Sequence, residues 1–105
     1  MTKIEKLDLE HLTVARLSHT RALPGEWIGK LDDGRTIYIV ATGTLLRITT
    51  GNDLNEALQK AKEDKVHTVR SSNYKTRAVS TDEMLKITGL KLNHGVGVRE
   101  HPLDS

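Results

Sequence analysis

Residues 65–77 carry the clearest chemical signal in the sequence, because basic side chains are concentrated there without any acid. The segment reads KVHTVRSSNYKTR and contains four Lys or Arg residues and no Asp or Glu. His67 adds a fifth cation when it is protonated. A local cluster of this kind predicts a surface that attracts anions. The candidate binding residues are Lys65, His67, Arg70, Tyr74, Lys75 and Arg77.

The aromatic ring within this segment indicates which anions it could bind. Cations that follow a phosphate backbone, with a ring that stacks on a base, are what single-stranded nucleic acid binding needs. We therefore expect contact with nucleic acid or with the acidic surface of a protein that handles nucleic acid. The other interpretation is a solvated loop, neutralised by weak ion pairs with the acids at 63–64 and 82–83.

Catalysis is the second functional hypothesis. His67, Arg70, Tyr74 and Arg77 are residue types that a metal-independent ribonuclease uses as base, acid and phosphate-binding groups. No spacing in the sequence fixes their geometry, and no phosphate-binding loop or nucleophile elbow occurs. We therefore favour a non-enzymatic binding protein, such as a regulator or an inhibitor that acts by steric occlusion.

Composition restricts the remaining classes of site. The chain has 105 residues, a net charge of +2, and neither Cys nor Phe. A metal site would need three of its five histidines together, and no His pair has helical ligand spacing. We expect no metal and no cofactor. No apolar run approaches the length of a membrane span, and the first residues lack the apolar stretch of a secretory signal, so we expect a cytoplasmic protein without membrane contact.

The elements that must position the basic segment are clearest in the middle of the chain. Residues 26–31, 35–41 and 44–49 are rich in β-branched and apolar residues, and Asp33-Gly34 is typical of a hairpin turn. The pattern predicts a three-stranded antiparallel meander. Alternation places Ile37 and Ile39 on one face, with Tyr38 on the other.

Two helices flank the basic segment. Asp53 can cap a helix over residues 53–64, in which Leu54, Ala57, Leu58 and Ala61 form one apolar stripe. We expect this helix to cover one face of the sheet. The sequence STDE at 80–83 predicts a capping box that opens a short helix at 81–88, ending at Gly89, at the edge of the sheet.

The two ends of the chain are less distinctive. Alternation at 12–19 favours a strand in which Leu12, Val14 and Arg16 share a face, although a helix over 4–17 is an alternative. Residues 90–98 are typical of an edge strand interrupted by Gly, and we expect residues 1–6 and 100–105 to fray.

These elements predict one α+β domain over residues 1–105: an antiparallel meander packed by one amphipathic helix, with a second short helix. Trp27, the only Trp, is expected either to close an aromatic-poor core or to anchor a partner. An open sheet face or edge would also permit a homodimer.

Overall fold

The computed structural model describes residues 9–20, 26–42, 45–70, 81–93 and 98–101; for residues 10, 20, 42 and 98–101 it describes the backbone only. In these ranges, seven strands and two α-helices follow a short 3₁₀ turn at Leu9–His11. Their bounds are β1 Thr13–Thr20, β2 Glu26–Leu31, β3 Thr36–Thr42, β4 Leu45–Gly51, α1 Leu54–Lys62, β5 His67–Arg70, α2 Thr81–Thr88, β6 Lys91–Leu92 and β7 Val98–His101. The predicted α+β class is confirmed.

All seven strands belong to one mixed sheet. The order is β5-β4-β3-β2-β1-β6, and β7 pairs with β1 on the side that β6 also occupies. β1 to β5 are antiparallel neighbours, whereas β6 and β7 run parallel to β1. The predicted meander is therefore the centre of the sheet. The predicted C-terminal edge strand is split in two, and its second part includes Glu100 and His101, which we expected to fray.

The first hairpin turn has a three-residue loop, although an Asp-Gly pair is typical of a two-residue primed turn. Leu31 and Arg35 close a three-residue loop, in which the Leu31 N–H donates to Arg35 O over 2.8 Å. Gly34 has a φ of +95°, while neither Asp before it has a positive φ. A loop of this kind needs only one left-handed residue, at its last position, so Gly34 satisfies it where a two-residue primed turn would also have constrained Asp33.

The N-terminal third forms a strand, and the alternative helix is wrong where the structure describes it. β1 contains a bulge at Ala15. Val14 pairs with Leu31 and Arg16 pairs with Lys30, so Ala15 is an extra residue without a partner in the β1–β2 register. The bulge shifts the alternation, which buries Val14 and Leu17 together and exposes Arg16. The expectation that Val14 and Arg16 share a face is therefore wrong.

The hydrophobic core lies on one side of the sheet, which we call the inner face. It contains Ile37, Ile39, Leu46 and Ile48, all fully buried, and it extends over β1 and β2. α2 covers this face, since Met84 is fully buried in the same cluster. α2 contacts the edge strand β5, as expected, and it also extends over the inner face, where Thr81 bonds to Trp27.

α1 packs on the opposite side of the sheet, the outer face. The Thr49 hydroxyl donates to the carbonyl of Ala57 over 2.9 Å, and Thr49 lies opposite Tyr38 on β3. Asp53 caps the helix as predicted, with its carboxylate accepting from the Glu56 N–H over 2.9 Å. Neither α1 nor α2 is long and apolar enough to cross a membrane, nor is any other helix in the described ranges.

Candidate nucleic-acid interface

The structure describes the first half of the predicted basic segment, residues 65–70. Tyr74, Lys75 and Arg77 lie outside the described residues. Lys65 is exposed and its Nζ lies 3.1 Å from a Glu63 carboxylate oxygen. Two hydrogen bonds lower the pKa of the Glu63 carboxyl below its ordinary value. The larger contribution comes from Gln59 and the smaller one from Lys65. The charge of Lys65 is therefore partly neutralised within the protein.

β5 separates the two other described candidates. His67 pairs with the core residue Ile48, so its side chain is on the inner face, where it is half-buried. Arg70 pairs with Leu45, is exposed, and points to the outer face. His67 and Arg70 thus project to opposite sides of the strand. From these positions they cannot act together on one phosphate.

Arg70 is available to a partner. It forms no ion pair with any other residue that the structure describes. The cation nearest to it in the sheet register, Arg47 on β4, is hydrogen-bonded to Asp64 over 2.5 Å. Asp64 in turn follows α1 and has a φ of +59°. An anion at this end of the outer face would contact the guanidinium of Arg70, which has no ion pair among the described residues, and that of Arg47, which is already bonded to Asp64.

A second pair of cations occupies the other end of the outer face. Arg16 and Lys30 are direct cross-strand neighbours on β1 and β2, and both are exposed. Together with Ser18, Ile28 and Leu54 they line a depression of about 280 Å³. Lys30 reaches the carbonyl of Gly34 at 3.5 Å, and Arg16 has no ion pair among the described residues. Like charges placed directly opposite each other destabilise a sheet. An anionic ligand bound between Arg16 and Lys30 would relieve this repulsion.

A larger groove lies between these two ends, where α1 crosses the sheet. Its volume is about 610 Å³, and its walls come from β3, β4 and the helix. It is lined by Tyr38, Val40, Arg47, Asn55, Leu58, Gln59, Ala61 and Lys62.

Tyr38 is the aromatic residue of the outer face, and its hydroxyl is held in place. The phenol donates a hydrogen bond to Glu26 over 3.0 Å. Partial burial raises the pKa of Tyr38 to about 12, the bond to Glu26 and its charge add to this increase, and the charge of Arg47 opposes it. The ring therefore remains a neutral phenol at any physiological pH.

Together these residues form what we call the outer basic surface. It combines five cations with the Tyr38 ring and extends across β1 to β5, a distance of about 19 Å at normal strand spacing. Four of its cations are absent from the set predicted from the sequence. The signal was present for Lys30, Arg47 and Lys62, since each lies out of phase with the buried residues of its strand or helix. Arg16 reaches the outer face only through the bulge in β1. The cations of the outer basic surface are Arg16, Lys30, Arg47, Lys62 and Arg70.

The inner face holds a polar cluster of a different kind. His19 stacks on Trp27 with ring centroids 4.5 Å apart and an angle of 5° between the planes. The Thr81 hydroxyl accepts from Trp27 Nε1 over 3.0 Å and lies 3.1 Å from His19 Nδ1. Trp27 is fully buried, so its role is to close the core and the expectation that it anchors a partner is wrong.

Metal chemistry and similarity to other proteins do not identify the site. In the described ranges, no three His, Asp or Glu side chains come together in a way that could hold a metal ion. No family model, no curated protein and no solved structure matches this chain. The outer basic surface is therefore the feature from which a function can be inferred.

Proposed function

We propose that this chain is a non-enzymatic cytoplasmic binding protein that holds single-stranded nucleic acid on its outer basic surface. The observation that carries the proposal is the arrangement of five cations on one face of the sheet, of which Arg16 and Arg70 have no ion pair among the described residues. An extended phosphate backbone supplies a row of negative charges that such a face can match.

The basic segment continues this surface along the chain. Arg70 is the last residue of β5, so Tyr74, Lys75 and Arg77 follow within seven residues of the outer basic surface. An aromatic ring on the sheet and another in the segment supply the stacking groups that sequence-tolerant binding of single strands uses. Tyr38 and Tyr74 are those two rings.

Binding of this kind requires no catalytic group. Occupying a nucleic acid strand is sufficient to regulate or inhibit a protein that competes for it. The projection of His67 to the inner face favours binding over the hydrolase, because the proposed base is on the far side of β5 from Arg70.

The test is the salt dependence of binding to a fluorescent single-stranded oligonucleotide, followed by anisotropy. If five cations each neutralise one phosphate, affinity should fall roughly 100-fold between 50 and 200 mM salt, from a slope of about −0.7 per contact. Arg70→Ala should weaken binding and reduce the slope by about 0.7, because it removes one of the five contacts. The matched control is Lys86→Ala, which removes one exposed charge from α2.

Three results would contradict the proposal. Equal losses in the test and control variants would show that net charge, and not the outer basic surface, determines affinity. Capture of a protein partner from nuclease-treated lysate, without any oligonucleotide binding, would point to an acidic protein surface. RNA cleavage by the native protein that is lost in His67→Ala would favour the hydrolase.

A further inference from the structure

The groove between α1 and the sheet has a shape that the packing of the helix explains. At its first turns α1 is pressed against β4: Ala57 is fully buried, and a Cβ added to Gly51 would lie 2.8 Å from the Ala57 nitrogen. Leu58 and Ala61 are only half-buried. A groove of about 610 Å³ therefore runs along the flank of the helix that carries Asn55, Leu58 and Lys62.

The floor of the groove is apolar and is not filled by described side chains. Val40 on β3 and Leu58 on α1 line it, and both remain half-buried. Three of the four residues in the predicted apolar stripe of α1 are likewise only partly covered. An apolar floor of this volume is within the range of pockets that bind small organic molecules.

The rim of the groove carries amide groups that can read a polar ring edge. Asn55 and Gln59 are both exposed on α1 and line the groove. Gln59 uses its Nε2 to donate to Glu63 over 3.1 Å, which leaves its carbonyl oxygen as an acceptor. Side-chain amides of this kind form hydrogen bonds with the edges of unstacked bases.

The rim also supplies charge of the sign that a phosphate needs. Lys62 is exposed, lines the groove, and has no ion pair among the described residues. Arg47 directs one nitrogen to Asp64 and keeps further N–H donors. The carbonyls of the last turn do not oppose an anion strongly, because backbone N–H groups of residues 63–65 already bond to them.

We infer that this groove binds one nucleotide, with the base on the floor formed by Val40 and Leu58 and the phosphate at Lys62 and Arg47. The inference rests on the proposed function, since it names the place on the outer basic surface where a base is taken up. The same chemistry is offered by a free nucleotide and by one nucleotide of a strand. The experiment must separate these two sources.

The experiment uses adenosine monophosphate and a single-stranded oligonucleotide as separate probes in ¹H–¹⁵N NMR titrations of the whole chain. Both should shift the amides of Val40, Leu58 and Ala61 in a saturable way and leave those of α2 unchanged. Ala61→Leu, which fills the groove, should weaken mononucleotide binding at least 10-fold. Lys62→Ala should weaken it several-fold, whereas the matched control Lys86→Ala, an exposed lysine on the other helix, should leave it unchanged.

The outcomes distinguish the groove from the proposed function. If the oligonucleotide binds with the expected salt dependence but Ala61→Leu binds it like the native chain, the groove inference is overturned and the proposed function stands. If the mononucleotide saturates the groove while no oligonucleotide binds, the groove is confirmed for free nucleotides and the proposed function is overturned. Thermal unfolding of Ala61→Leu and Lys62→Ala establishes that each variant is folded.

Discussion

The hydrogen bond between Trp27 and Thr81 allows a quantitative prediction about the fold. Trp27 is fully buried and Thr81 is 8% exposed, so the indole N–H has no access to water. Thr81→Val keeps the shape of the side chain and removes the hydroxyl that accepts that N–H. Leaving a buried donor without a partner costs about 1–3 kcal/mol. At roughly 4 °C per kcal/mol for a chain of this size, the melting temperature should fall by roughly 4–12 °C.

A double-mutant cycle isolates this bond from the other contacts of Thr81, which include His19 Nδ1 at 3.1 Å. In a Trp27→Phe background the indole donor is absent, so Thr81→Val should cost about 1–3 kcal/mol less than in the native chain. The free energy of unfolding is measured by urea denaturation followed by far-ultraviolet circular dichroism, since Trp27→Phe removes the fluorescent probe. Thr81→Ser keeps the hydroxyl and is the control, with a cost of about 0.8 kcal/mol for the lost methyl group.

Equal costs of Thr81→Val in the two backgrounds would refute this reasoning. A coupling energy below about 0.3 kcal/mol is within the range expected for independent sites. It would mean that the indole finds another acceptor or that the hydrogen bond makes no net contribution. A loss from Thr81→Ser as large as that from Thr81→Val would assign the effect to packing of the methyl group.

Two further predictions concern the outer face. In a Tyr74→Phe background, absorbance titration of tyrosinate should give Tyr38 a pKa of about 12. Because the fold favours the neutral phenol, the contribution of Tyr38 to stability is complete below pH 10 and is lost as pH rises from 10 to 12. Glu26→Gln should lower that pKa, and a normal value in the native chain would contradict the bond at 3.0 Å. Gly51→Ala should destabilise the chain by about 1–3 kcal/mol, measured by urea denaturation, because the new methyl group would overlap the α1 backbone; an unchanged midpoint would show that α1 can move away from β4.

The sequence predicts the sheet better than it predicts the surface. Ile37 and Ile39 alternate with Thr36 and Tyr38, so the phase of β3 and its buried face could be read directly. The bulge at Ala15 has no residue signature, since Ala fits a regular strand equally well. With regular alternation Arg16 would share the side of Val14, which is why it could not be placed on the outer face. The predicted site is one continuous segment defined by its local charge, so cations that strand pairing brings together from distant positions fall outside it.

The position of α1 could not be predicted for a related reason. Its apolar stripe indicates that the helix packs on a sheet, but both faces of the meander offer apolar neighbours to it. α2 occupies the inner face, where Met84 is part of the core. The hydrogen bond between Trp27 and Thr81 also holds α2 there, and it joins residues 54 positions apart. Because this long-range contact places α2 on the inner face, α1 packs on the outer face and forms the groove lined by Lys62.

The division between the two faces explains how the chain can tolerate unneutralised cations. The inner face holds the fully buried aliphatic residues, each of which contributes about 1.5–3 kcal/mol, and no buried side-chain N or O atom among the described residues lacks a partner. Repulsion between exposed neighbours such as Arg16 and Lys30 costs only about 0.2–1 kcal/mol. One core side chain therefore offsets more than one unfavourable pair on the surface. Because stability depends on one face and the proposed binding on the other, substitutions at Arg16, Lys62 or Arg70 should change affinity without unfolding the protein.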